Sequence, residues 1–423
     1  MTERWSREAL FSIVVNEKLF ANRWRAYQGL RVGRTDLMKI KCRPEDFQVE
    51  ELAQPAWGAG PYALYLLTKR SLGTLEVLQQ IRQRWRLSTQ QVSYAGLKDK
   101  HALTRQWVSI FRGPRRDLHQ SRWSLVYQGQ AHAPISSEQL QGNRFDITLR
   151  DLSPQDQHVM TQAAQELLAS GVPNYFDEQR FGSVGSSGQF IAEPWCLGDY
   201  ERTLWLMLAE PNPHDRPRER QEKAVLREHW GEWHRCQSQI SSPMRSGIVQ
   251  FLREHPSDFR RAVALVPVEL RSLYLAAFQS WVWNAVLSRA LLQQLGAAAT
   301  FIVTSEHGSW VFPSAHAALI SWREVTIPLP SARLRLPADD PWRGLFESVL
   351  ATRGLTLRQL RVKYPRDSFF SKGERPAVVV PQNWEHQFFA DELYPSRWAC
   401  RMQFVLPKGS YATLIIKRLS TAR

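Results

Sequence analysis

The side chains best placed to do chemistry stand in one short segment, YAGLKDKHALTRQW, residues 94–107. Asp99 lies between Lys98 and Lys100, and His101 follows. Two neighbouring ammonium groups favour the ionised form of a carboxylate. An ionised, positioned carboxylate can act as a nucleophile. In extended backbone alternate residues project to opposite sides, so Lys98 and Lys100 would point one way and Asp99 the other. The lysines could then meet phosphates while the carboxylate enters a pocket. An isolated Lys-Asp-Lys is ordinarily a solvated charged turn. The elements around it must therefore decide.

Those elements read as a mixed α/β framework. QVSYAG (91–96) is a strand that ends at Gly96, and strand-end loops are where rigid scaffolds place reacting groups. WVSIFR (107–112) is the next strand. Upstream, Phe47 and Val49 alternate with polar neighbours, and PYALYLLTKR (61–70) reads as a more buried strand. TLEVLQQIRQRW (74–85) predicts a helix, with Thr74 as its cap and Leu78, Ile81 and Trp85 on one stripe. NRFDITLRDL (143–152) alternates, with Phe145, Ile147 and Leu149 on one face. A helix over 154–170 has Ser153 as cap, Pro154 as first residue and Gly171 as stop. Residues 211–220 are rich in Pro and charge and read as an exposed loop. Residues 221–295 are largely helical in pattern, most clearly over 274–296. After about residue 330 strand and helix signals mix again. A chain of 423 residues suits two or three domains. The order α/β, mainly helical, α/β is that of a helical module inserted into a mixed α/β (α+β) domain.

Composition narrows the partners. The formal charge is +15, spread along the chain, so a polyanion such as nucleic acid is the first partner to expect. The four cysteines are far apart with no Cys-x-x-Cys pair, which fits a reducing compartment and argues against a zinc ribbon or a disulfide framework. His229, His234 and Cys236 match no common metal-site spacing, so no metal is expected. No apolar run is long enough to cross a bilayer, and MTERWSREAL is not a signal peptide. The expected location is the cytoplasm, with no membrane attachment.

The segment AGLKDKHALTRQ resembles the signature of the TruD family of pseudouridine synthases, A-G-x-K-D-K-x-A-x-T-x-Q. Five further segments resemble family motifs in family order. They are PEDFQVEE (44–51), LQGNRFDITLR (140–150), VPNYFDEQRFG (172–182), QSWVWNAVLS (279–288) and FVLPKGSYAT (404–413). Together they span most of the chain from residue 40 onward. Asp177 stands where the family usually has Gly. QAHAPISSEQLQ, before Gly142, replaces a stretch that is basic in many relatives. The insertion is longer than in compact bacterial relatives.

The resemblance implies a pseudouridine-synthase mixed β-sheet catalytic domain with an inserted, mainly helical TRUD domain. The implied division is an N-terminal extension at 1–36, catalytic segments at 37–173 and 326–423, and the insertion at 174–325. It implies isomerisation of a specific uridine in RNA, expected to be tRNA position thirteen, with no cofactor and no obligate protein partner. Asp99 would be the catalytic aspartate, attacking C6 of the base or C1′ of the ribose. Phe47, Asn143, Phe145 and Tyr411 would line the substrate pocket, with Asn143 reading the base edge or holding Asp99. Lys98, Lys100, His101 and Arg105 would contact backbone phosphates, which position a substrate without specifying it. Gln179 and Arg180 lie at the entry to the insertion and would hold the hinge there or contact RNA. One alternative is a non-catalytic RNA-binding protein with the same fold, though a pure binder has no need of that carboxylate. Another is a hydrolase using Asp99 on a small substrate, against which the charge and the lack of a partner triad weigh.

Overall fold

The computed structural model describes residues 38–314 and 319–420. The N-terminal extension expected at 1–36 lies outside the described residues. The described chain divides into two compact units, residues 38–174 with 379–420, and residues 175–378.

The first unit is built on a ten-stranded mixed sheet. Its strands from the first chain segment are β1 (Lys39–Ile40), β2 (Phe47–Ala53), β3 (Trp57–Arg70), β4 (Val92–Tyr94), β5 (Leu103–Phe111), β6 (Leu118–Gln120), β7 (Trp123–Ala131) and β8 (Leu140–Leu152). The chain returns to add β9 (Gln382–Ala390) and β10 (Trp398–Pro407). The order is β9-β10-β8-β2-β5-β3-β7-β6, with β1 on β8 and β4 on β5. The pairing of β2 with β5 is parallel, whereas β2 and β8 run antiparallel. A parallel neighbour needs a crossover. Here it includes β3, the helix α1 (Thr74–Trp85) and β4.

Residues of both β3 and α1 read apolar on one side because they share one core. Tyr65, Leu67, Val77, Leu78, Ile81, Val108 and Leu125 are buried together there, and Trp85 packs at the edge. Burying each large side chain contributes about 1.5–3 kcal/mol, which fixes α1 on the sheet beneath the segment that holds Asp99. Thr74 is the first helical residue and Gly73 takes the cap position, a correction to the expected capping role of Thr74. Helix α2 (Pro154–Ser170) has the expected ends. Ser153 Oγ accepts the Asp156 N–H at 3.2 Å, and Gly171 closes it at φ 83°. Its partner is the last helix, α3 (Ala412–Ser420), where Arg418 meets Glu166 at 2.8 Å.

The second unit is mainly helical. Its longest helix, Val268–Leu295, buries one side almost continuously, Leu275, Phe278, Val282, Trp283, Val286 and Leu291 included. Asn284 on that helix accepts the Phe176 N–H at 2.8 Å and donates to the Phe176 carbonyl at 2.7 Å, pinning the NYF segment. Asp177 has φ −87°, so nothing there demands the freedom of glycine. Arg180 lies against the Phe176 ring, at 5.4 Å. The expected loop at 211–220 is helical from Pro217. The unit also runs past the expected boundary at 325, to residue 378. The strand Thr326–Pro328 pairs with Glu374–Pro376, and the helix Pro341–Ala351 packs on Val268–Leu295. These contacts are distant in sequence, and the mixed signals after residue 330 did not distinguish them from a return to the first sheet. Among the described residues no helix is long and apolar enough to cross a membrane.

Candidate active site

Asp99 sits in the turn between β4 and β5, and its carboxylate is about one-fifth exposed. One oxygen pairs with the Lys41 ammonium. The other accepts the His101 N–H at 2.8 Å, a local turn that aims the carboxylate. Burial pushes the Asp99 carboxyl up. The hydrogen bond and charge of Lys41, together with the His101 N–H, outweigh it and hold the group below its ordinary value. The result is a carboxylate that stays ionised at neutral pH.

Lys41 follows β1 and has φ 60°, a left-handed conformation that non-glycine residues seldom take. Its ammonium also lies 4.3 Å from the centre of the Phe47 ring, so one cation bridges the carboxylate and an aromatic face. The turn between Lys41 and Phe47 is anchored by Asp46. Arg150 on β8 donates to Asp46 at 2.7–3.0 Å and to Asp391 at 3.1 Å. Both Arg150 and Asp46 are buried. The hydrogen bonds that Arg150 donates to Asp46, in the first place, raise its pKa further.

A second layer holds the loop from beneath. Lys69, near the end of β3, is fully buried. Its ammonium donates to the carbonyls of Leu72 at 2.8 Å and Asp99 at 2.7 Å, with the Lys98 carbonyl at 3.5 Å. Burial lowers its pKa to about 8, against a smaller opposing pull from Asp99. Thr74 Oγ1 donates to Gln106 at 2.8 Å and accepts the Lys98 N–H at 3.1 Å. Gln106 in turn donates to the Gly96 carbonyl at 3.1 Å. The backbone on both sides of Asp99 is therefore tied to β3, α1 and β5.

Strand register brings the remaining groups to the same sheet. Glu51 on β2 faces Asn143 on β8, and Asn143 faces Leu406 on β10. Asn143 Oδ1 is buried and accepts no hydrogen bond, and the same holds for the Ser410 hydroxyl just beyond β10. Buried acceptors without a protein partner are rare, and each is a place where a ligand can supply the missing donor. Phe145 meets Phe47 edge-on at 6.4 Å and stacks on Phe404 at 5.5 Å. Tyr411 is half-buried immediately before α3.

The turn thus holds an ionised carboxylate, and Lys41 links it to the Phe47 ring, which meets Phe145. Comparison with known proteins decides the family. The family model for tRNA pseudouridine synthase D (TruD) matches residues 34–419. The chain belongs to this family.

A Methanococcus maripaludis protein named "Probable tRNA pseudouridine synthase D 1" is 28% identical over 396 residues, 90% of this chain and 99% of its own. The tRNA pseudouridine synthase D of Leptospira interrogans is 27% identical, over 90% of this chain and 95% of its own. A Methanosarcina mazei crystal structure described as "Putative tRNA pseudouridine synthase D (TruD)" aligns with a TM-score of 0.64 at 24% identity. It covers 93% of this chain and 96% of that one, and supports the fold. The chain is thus an enzyme of the pseudouridine synthase class, with the mixed sheet and helical insertion of the TruD fold.

Within this TruD chain the charged segment is arranged differently from the simple alternation expected. Residues 96–101 form the expected turn, but the two lysines do not share one side. Lys98 is only 8% exposed and pairs at 2.7 Å with Glu51, whose side chain is fully buried. Glu51 also accepts the Trp107 N–H at 2.9 Å. A buried carboxylate demands such partners. Lys98 is therefore a structural cation, which corrects its expected contact with phosphate. Lys100 is exposed, 3.7 Å from Glu76, and His101 and Arg105 are exposed as well. Phe47 and Phe145 are 4% and 6% exposed. Both rings are buried, Phe47 beneath the Lys41 ammonium, and neither is a wall open to solvent. Lys41, Lys69 and Asp46 were missed because no local pattern marks them. Asp46 lies inside the PEDF segment, and that was the one available signal.

Proposed function

We propose that this chain isomerises a uridine of tRNA, at position thirteen, to pseudouridine, with Asp99 as the attacking carboxylate and no cofactor. The observation that carries the reading is the state of Asp99, ionised, partly exposed and braced from both sides by Lys41 and the His101 N–H. Uridine and pseudouridine have the same atoms and oxidation level, so the reaction needs no external donor or acceptor. Asp99 Oδ bonds to C6 of the base or C1′ of the ribose, and the N1–C1′ bond breaks. The base turns, C5 bonds to C1′, the carboxylate leaves, the C5 proton is lost and N1 gains one. A target base has to leave its stack to reach such a site. In this reading the Asn143 amide reads the edge of the base, Tyr411 covers one face, and the Phe145–Phe404 stack closes the floor. Lys100, His101 and Arg105 are the exposed groups that would hold phosphates.

Tritium release from RNA labelled with 5-³H-uridine tests the proposal. The wild-type chain is expected to release tritium from tRNA, and Asp99→Asn to release none while binding RNA with nearly unchanged affinity. Near-normal release by Asp99→Asn would remove Asp99 from the mechanism. A wild-type chain that binds RNA but releases tritium from none would favour the non-catalytic binder.

A further inference from the structure

The second unit holds a cavity of about 510 Å³ lined by Arg335, Arg343, Arg358 and Arg361. It is built from three stretches, the segment after Ser331, the helix Pro341–Ala351 and the 3-10 turn Leu357–Gln359. The first and third are tied by the Ala332 N–H, which donates to the Leu360 carbonyl at 2.9 Å. Leu334, Leu336 and Leu357 complete the lining. Glu347 is its one carboxylate, and it is engaged by Arg343 at 3.1 Å. Arg335 donates to the Ala332 carbonyl at 3.0 Å, and Arg358 and Arg361 are exposed.

Four guanidinium groups around one cavity repel each other, and a single carboxylate does not balance them. The surrounding chain adds to the imbalance. Between residues 331 and 373 nine Lys and Arg stand against four Asp and Glu. A bound polyanion relieves this repulsion. Guanidinium groups are suited to phosphate, since their planar fork donates two parallel hydrogen bonds to its oxygens. The cavity falls within the ~300–1,000 Å³ range of ligand pockets, so it accommodates more than one small ion. Its leucines offer apolar contact to ribose or base.

We infer that this arginine cavity is a second anchoring site for the phosphodiester backbone of the substrate RNA, apart from the turn that carries Asp99. The inference rests on the RNA-modifying reading above. Arg358 and Arg361 are the phosphate-binding cations, and Arg343 and Arg335 shape the cavity. Phosphate contacts add affinity without reading sequence. The site therefore contributes to how tightly the RNA is held and not to the chemical step.

The test compares R358Q/R361Q with R333Q/R366Q, a control that removes two exposed arginines of the same region outside the cavity lining. Filter binding of unmodified tRNA over a salt series and tritium release are measured for both. The cavity variant is expected to bind about tenfold or more weakly at ~0.1 M salt, with the salt slope reduced by about 1.5. Its KM rises by a similar factor and its kcat stays within about twofold, while the control changes little. Equal weakening by the control would show diffuse charge and overturn the site. So would unchanged binding by R358Q/R361Q. Loss of binding to a free nucleoside monophosphate with tRNA binding unchanged would assign the cavity to a small nucleotide instead. Circular dichroism and unfolding midpoints matching wild type show that each variant is folded. A wild-type chain without tritium release would refute the catalytic reading alone, because the binding arms stand without it.

Discussion

Replacing Lys69 by Met keeps the length of the side chain and removes its donors, and the consequences can be worked out. Two carbonyls, those of Leu72 and Asp99, lose hydrogen bonds of 2.8 and 2.7 Å. Leaving each buried and unsatisfied costs about 1–3 kcal/mol, or about 2–6 kcal/mol together. Against this stands relief of a buried charge. The Lys69 pKa falls from 10.5 to about 8, a difference worth about 3 kcal/mol against the folded protein at neutral pH. The two effects largely offset, so global stability is expected within about 3 kcal/mol of wild type. Catalysis has no such compensation. The peptide carbonyl of Asp99 loses its anchor, and with Asp99 as the proposed attacking group a shift of about 1 Å can lower the rate by about 10²-fold. Lys69→Met is thus expected to unfold near the wild-type midpoint but to lose about 10–100-fold in single-turnover tritium release. The linkage supplies an independent check. The folded-state pKa lies below the unfolded one, so between pH 8 and 10.5 the unfolded chain binds more protons. The Lys69 contribution to stability therefore rises with pH across that window, and the Met variant should lack it. A large drop in the unfolding midpoint with unchanged activity per folded molecule would refute the reasoning. So would a variant in which neither property moves.

Lys41→Met leaves burial as the main influence on Asp99, so its carboxyl is expected to rise above its wild-type value. The acid limb of the kcat/KM profile, which reports the free enzyme, then moves to higher pH. An unmoved limb would show that Lys41 does not control the ionisation. Asn143→Ala removes an amide whose oxygen makes no hydrogen bond in the folded chain, so denaturant unfolding should show less than about 1 kcal/mol of destabilisation. If Asn143 reads the base as proposed, its kcat/KM is expected to fall at least about tenfold. Arg150→Met strands two buried carboxylates, Asp46 and Asp391, and is expected to cost about 3–5 kcal/mol in denaturant unfolding. A loss under about 1 kcal/mol would mean that Arg150 does not hold the turn between Lys41 and Phe47.

Local chemistry made much of this molecule legible. Ser153, Pro154 and Gly171 bound a helix because cap, fixed φ and left-handed stop act within a few residues. Alternation in NRFDITLRDL predicts β8, since its two faces meet different surroundings. The turn bearing Asp99 was legible too, because Gly96 and the charged run interrupt two apolar strands. Less legible was what each charge touches. Lys98 and Lys100 look alike in the chain, yet one is buried on Glu51 and the other exposed near Glu76. That difference depends on β2 lying beside β5, a parallel pairing between residues about 55 apart.

The sequence by itself determined several of the strands and helices, among them β8 and α2, the net positive charge, and the ordered motifs that point to Asp99. Tertiary structure alone decided how that carboxylate is held. Lys41 reaches it from 58 residues upstream and Lys69 from 30, through contacts that no local periodicity encodes. The physical reason lies in burial. A lysine buried against loop carbonyls and one solvated at the surface are the same residue in sequence, and only the packed sheet determines which of them is deprived of water.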